Sequence, residues 1–143
     1  MSEKKNYWLF KSEPFKWSWD MQVKAGAKGT FWDGVRNHLA KQQLMAMRKG
    51  DQGFFYHSNE GKEIVGIVEV IREHYPDPTA EPGEPWVVVD IKAVKPVPKL
   101  VTLAQIKAEE RLAKMSLVTS ARLSVQPVTA EEWKLICKMG GIK

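Results

Sequence analysis

The stretch Phe31-Trp32-Asp33-Gly34-Val35-Arg36-Asn37 sets bulky aromatics beside hydrogen-bonding side chains, the mixture that a recognition pocket needs. Three further islands have a related character. Lys11-Ser12-Glu13 follows an apolar run, Tyr56-His57-Ser58 closes another, and Arg122-Leu123-Ser124 precedes a third. A site for a nucleobase needs a flat apolar surface for stacking and a few fixed donors and acceptors for the Watson–Crick edge. Trp32 and Tyr56 suit the first task, and Lys11, Ser12, Glu13, Asn37 and Ser58 suit the second. These islands lie far apart in the chain, so their convergence is an expectation about the fold.

Every one of these residues has a purely structural alternative. Trp32 equally suits packing the loop onto the core. Asn37 and Asp33 are natural helix caps. Lys11 and Glu13, two apart on an extended segment, suit a weak surface ion pair. His57 at a strand end is as readily structural or solvated as functional. Arg36 can meet a phosphate near a helix start or form an ordinary salt bridge.

The elements that must position the islands follow from pattern. Tyr7-Trp8-Leu9-Phe10 is an apolar strand that Pro14 stops, since proline lacks an N–H and biases Glu13 to extended geometry. Ser18 or Asp20 starts a short helix to about Lys24, closed by Gly26. Ala40, Leu44 and Met47 recur at helical spacing between Arg36 and Arg48. Phe54-Phe55-Tyr56 and Ile64 to Ile71 read as strands joined by a hairpin at Asn59-Glu60-Gly61-Lys62. The second is nearly continuously apolar, as burial on both faces demands, whereas Val87, Val89, Ile91 and Ala93 alternate with polar residues. The proline-rich segment from Pro76 to Pro85 is a long surface loop between strands. Thr102-Leu-Ala-Gln105 and Thr129-Ala-Glu-Glu132 have capping-box spacing, which marks two further helices. Trp8, Trp86 and Trp133 are assigned to the core, and Trp17 and Trp19 are open.

The 143 residues fit one globular domain, 1–143, long enough to bury a core. With 22 basic and 17 acidic residues the formal charge is +5, which favours polyanions and is equally compatible with ordinary solubilising surface. A lone cysteine, Cys137, excludes an internal disulfide and a cysteine-rich zinc site; its spacing to Trp133 and Ile136 makes it a small core residue. No apolar run reaches membrane-spanning length, so the expected location is the cytoplasm, or the nucleus if the source is eukaryotic. The spacing of His38, His57 and His74 fits no metal site, and no nucleophile elbow or phosphate-cradling glycine loop is present. No metal and no cofactor is expected.

Taken in order, these islands with Val65-Gly66-Ile67-Val68-Glu69-Val70, Tyr75-Pro76-Asp77-Pro78-Thr79 and Leu123-Ser124-Val125-Gln126-Pro127-Val128 resemble the EVE domain over nearly the whole chain. The resemblance implies an α+β architecture, a PUA-like mixed β-barrel of about five to six strands with short flanking α-helices, related in fold to YTH and ASCH domains. It implies a non-catalytic reader of a flipped modified base, with 5-methyl- or 5-hydroxymethylcytosine in DNA favoured over RNA. The partner is then nucleic acid carrying modified bases, bound by a monomer without a membrane. By the same resemblance Lys11, Ser12, Glu13, Trp32, Asn37, Tyr56, His57, Ser58, Arg122 and Ser124 are carried over as the pocket; Arg36 near a helix start and Lys41 as a point charge are read from their own chemistry as phosphate contacts. His38-Leu39-Ala40-Lys41 departs from the family pattern, where a second aromatic and an arginine are expected. Two rival functions remain: an ASCH-like amidohydrolase acting on modified nucleosides, with Lys11, Glu13 and His57 as its acid–base set, and a small-ligand or protein-binding domain.

Overall fold

A computed structural model describes residues 6–58, 61–120 and 122–142. Six strands form one mixed sheet: β1 (Tyr7–Ser12), β2 (Thr30–Phe31), β3 (Gln52–His57), β4 (Glu63–Pro76), β5 (Val87–Thr102) and β6 (Val125–Val128). The spatial order is β2-β5-β4-β3-β1-β6. The β1–β3 pair is parallel, and the other neighbours are antiparallel. The expected α+β, PUA-like class is correct, with β2 and β6 as the two edges among the described residues.

Both faces of the sheet are covered, which explains why its central strands are apolar throughout. Side chains alternate along a strand, so Trp8 and Phe10 of β1 and Phe55 of β3 enter one core. Leu9, Phe54 and Tyr56 enter the other. In β4 the alternation breaks: Val65 and Gly66 both face the first core, and the ladder to β5 shifts register between Ile64 and Gly66. Gly66 is required there, because a Cβ would stand 2.4 Å from the Trp19 ring.

Among the described residues five α-helices flank the sheet: α1 (Trp19–Lys24), α2 (His38–Ala46), α3 (Leu103–Ala108), α4 (Ser116–Thr119) and α5 (Ala130–Met139). Ser18 caps α1, and Thr102 and Thr129 form complete capping boxes on α3 and α5. Trp133 of α5 stacks between Phe54 and Tyr7, with ring centroids at 4.0 Å and 4.4 Å. Trp19 belongs to the first core, whereas Trp86, expected in a core, is half-buried against the His38 ring and the Arg36 guanidinium. Strand β5 runs well past Ala93, through Pro96 and Pro98. The short β2 pairs only with Asp90 and Ile91, so among the described residues no strand pairs with the outer side of this later stretch, which tolerates missing N–H donors at the prolines; the Lys99 N–H donates instead to the Gly140 carbonyl at 2.9 Å. Part of the expected hairpin turn, Asn59 and Glu60, lies outside the described residues. No helix among the described residues is long and apolar enough to cross a membrane.

Candidate functional site

Topology brings the islands together. Because β1 runs parallel to β3 and antiparallel to β6, the C-terminal ends of β1 and β3 meet the entry to β6 on one side of the sheet. Lys11 pairs with Tyr56 across β1–β3, the Lys11 N–H donates to the Ser124 carbonyl at 2.9 Å, and the Ser58 N–H donates to the Ser12 carbonyl at 2.9 Å. The fourth island arrives from the far edge. After β2, the Trp32 N–H donates to the Val89 carbonyl at 2.8 Å, and the Trp32 ring lies against Phe10 and Phe55, with centroids at 5.2 Å and 5.9 Å. Gly29 permits this crossing: its φ is +71°, and a Cβ there would stand 2.3 Å from the Ile91 carbonyl oxygen.

The result is a cavity of about 850 Å³, within the roughly 300–1,000 Å³ range of small-molecule sites. Its walls include Lys11, Ser12, Glu13, Trp32, Tyr56, Ser58, Arg122 and Ser124. Four cations (Lys11, Lys16, Lys62 and Arg122) and two carboxylates (Glu13 and Asp33) surround it. Burial lowers the Lys11 ammonium pKa from its ordinary value. Burial, with the nearby Glu63 carboxylate adding to it, pushes the Tyr56 phenol up to about 12, so it is a neutral hydroxyl at physiological pH. The Ser12 hydroxyl donates to the Trp17 carbonyl, which leaves its oxygen as an acceptor. Glu13 pairs with Lys16 at 3.7 Å across a turn.

The chain matches the EVE domain family model over residues 6–139. It belongs to the EVE domain family. It is 36% identical to mouse thymocyte nuclear protein 1 over 94% of this chain and 73% of that protein. Among solved structures, a protein from Agrobacterium tumefaciens is 58% identical with a TM-score of 0.94, covering 96% of this chain and 94% of the other. Human THYN1, solved in complex with 5-methylcytosine-containing DNA, is 33% identical with a TM-score of 0.88 and covers 97% and 99%.

Within this EVE domain several carried-over residues stand apart from the cavity wall. Asn37 caps α2, its Oδ1 accepting from the Ala40 N–H at 3.0 Å. His57 Nε2 accepts from the Trp19 N–H at 3.0 Å, which puts the proton of the neutral ring on Nδ1, and His57 is not among the residues of the cavity wall. Burial lowers the His57 pKa, opposed by Glu63 and Asp20. Lys41 is half-buried on α2, away from the lining. Arg36 is held by Asp77, 2.9 Å away. Asp77 also accepts from Gly34 N–H and from the Thr79 N–H and hydroxyl. Burial works against the Asp77 charge, but these hydrogen bonds outweigh it and lower the carboxyl pKa. Asp77 thereby clasps the Trp32–Asn37 loop to the proline-rich loop, a long-range pairing that no local pattern signals.

Two aromatics outside the carried-over set also belong to the wall. Phe31 lines the cavity and is 40% exposed, whereas Trp32 is only 8% exposed and Tyr56 only 3%. Open aromatic surface is therefore greater on Phe31 than on the expected pair. Trp17 lines the cavity as well; its indole N–H donates to Gln22 Oε1 at 2.9 Å, and Gln22 in turn donates to the Ile91 carbonyl at 3.2 Å. Gln22 is fully buried, so it sets the orientation of Trp17 from within the core. No group of three or more His, Cys, Asp or Glu side chains fit to hold a metal occurs among the described residues.

Proposed function

We propose that this protein, a single domain over residues 1–143, is a nucleic-acid-binding reader that takes a flipped 5-methylcytosine of DNA into the cavity at the end of β1. The observation that carries the reading is the convergence of four distant islands on one aromatic and polar cavity with a cationic surround. The bound state of the human relative, a 5-methylcytosine DNA complex on the same fold, supports it. Phe31 and Trp17 stack on the base, while the largely buried Trp32 and Tyr56 form the floor. Cytosine presents one amine donor and two acceptors on its pairing edge. Glu13 accepts from the amine, and Lys11, Ser58 and Arg122 donate to the acceptors or to phosphate. The Asp77 clasp holds Arg36, which supports the pocket loop rather than contacting a phosphate.

The energetics call for modest selectivity. One buried methyl is worth about 0.8 kcal/mol, or about fourfold. Extrusion of the base costs a few kcal/mol and stacking returns roughly 1–3 kcal/mol, so phosphate contacts supply much of the affinity and binding falls with salt. The test is binding of matched plain and methylated duplexes by the parent protein and by Phe31→Ala. The parent is expected to favour the methylated duplex, and Phe31→Ala to weaken binding by roughly 5- to 150-fold through lost stacking. Equal affinity for both duplexes in the parent would refute the reading.

A further inference from the structure

Phe15 is 63% exposed, the highest value among the large exposed hydrophobic side chains of the described residues, and nothing in the pocket reading uses it. Its position is fixed by a tight turn. The Lys16 N–H donates to the Glu13 carbonyl at 2.9 Å and the Trp17 N–H to the same oxygen at 3.0 Å, with Pro14 as the first central residue. Proline presets that position of the turn, so Phe15 is displayed at the apex of a stiff support. Glu13, Lys16 and Trp17, which flank it in the chain, all line the cavity. Lys16 stands 5.8 Å from the Phe15 ring centroid and is itself 70% exposed, so the apex presents an apolar face beside a cation.

An exposed aromatic on a rigid turn whose flanking residues line the cavity, with positive charge beside it, has the chemistry of a wedge that enters a base stack. We propose that Phe15 inserts into the DNA duplex at the step vacated when a base leaves for the cavity, and that Lys16 meets the adjacent phosphate. The proposal rests on the base-pocket reading and deepens it: the preferred ligand is a duplex, because only a duplex has a gap and an orphaned partner base to be filled. Removing the wedge therefore weakens binding to duplex and leaves binding to the same strand, single and already unstacked, unchanged.

The test uses the full chain and a short oligonucleotide with one central cytosine, plain or 5-methylated, single-stranded and as a duplex, with 2-aminopurine in the base pair next to that cytosine as a fluorescent reporter of stacking. Phe15→Ala is expected to lose about tenfold in duplex affinity, the equivalent of one stacking contact, with single-strand affinity within about twofold of the parent. Phe15→Leu, which keeps an apolar wedge, is expected to recover most of the loss. On duplex binding the reporter should change in both proteins as the base leaves the stack, with a further change, from contact with the inserted ring, in the parent alone. Equal losses on both strand forms, or an unchanged duplex affinity, would overturn the wedge while a methyl preference in the parent left the pocket reading standing. Absence of any methyl preference in the parent, in either strand form, would overturn the pocket reading and the wedge together.

Discussion

Replacing Asp77 by alanine tests whether the proline-rich loop holds the pocket loop in place. The Asp77 side chain is fully buried and accepts hydrogen bonds from Arg36, Gly34 and Thr79, whereas Arg36 is 36% exposed. Truncation removes the Asp77 acceptor of the Gly34 N–H and leaves the guanidinium with only the Val35 carbonyl and the Thr79 hydroxyl. A hydrogen bond to a charged group contributes about 1.5–3 kcal/mol, and a buried pair broken on one side costs about 3–5 kcal/mol. Arg36 reaches water, which screens its share, so the expected loss is about 2–4 kcal/mol. With a urea slope of about 2 kcal/mol per M, the unfolding midpoint should fall by roughly 1–2 M. Gly34 and Val35 line the cavity, so Asp77→Ala should also weaken methylated-duplex binding under conditions where it remains folded. Arg36→Met and the double variant complete a cycle whose coupling should reach about 1–3 kcal/mol. The pH dependence has a fixed sign. The folded Asp77 pKa lies below its unfolded value of 3.8, so the contribution is complete above that pH and is lost as pH falls toward the folded pKa. A loss below about 0.5 kcal/mol for Asp77→Ala, a value ordinary for surface positions, would refute the clasp.

Three further outcomes are expected. Asn37→Ala should cost about 1 kcal/mol of stability by removing the α2 cap and leave duplex affinity unchanged, and a selective loss of binding would restore Asn37 to the pocket. Gly66→Ala should destabilise by about 1–3 kcal/mol through overpacking against Trp19, with the larger figure if the ring cannot move, and a neutral urea midpoint would contradict the close approach. His57 has a folded pKa below its unfolded 6.5, so its contribution is present above that value and declines as pH falls through 6.5 toward the folded pKa. Thermal unfolding of the parent should therefore weaken from about pH 7 to about pH 5 more than that of His57→Gln, whose carbonyl oxygen accepts from Trp19 without titrating.

Legibility followed the range of the interactions involved. The caps at Ser18, Thr102 and Thr129 are local, and the sequence pattern locates them because acceptor and donor are three residues apart. The double-sided apolar run of β4 signals burial on both faces for the same reason. The cap at Asn37 and the salt bridge of Arg36, both offered by the sequence as structural alternatives, are present in the fold. Asp77 and Arg36 are 41 residues apart, and no periodicity links them. The division of the aromatics was likewise hidden. Phe31, Trp32 and Trp17 are similar in composition terms, and only the crossing of the chain after β2 decides that Trp32 turns into the core while Phe31 faces the opening. This also changes the useful variant. Trp32→Ala would open a core cavity costing about 3–5 kcal/mol and confound binding with folding, whereas Phe31 can be truncated with much less risk.

The most direct test of the base pocket is amide and indole NMR mapping with matched plain and 5-methylcytosine duplexes. The account predicts that the methylated duplex shifts Lys11–Glu13, the Trp17 indole, Phe31–Gly34, Tyr56–Ser58 and Arg122–Ser124 beyond the plain duplex, and leaves unaffected a second groove between α1 and β5, lined by Val23, Ala27, Lys92 and Val94 among others. Identical shifts from the two duplexes, or a methyl-dependent response centred on that second groove, would contradict it.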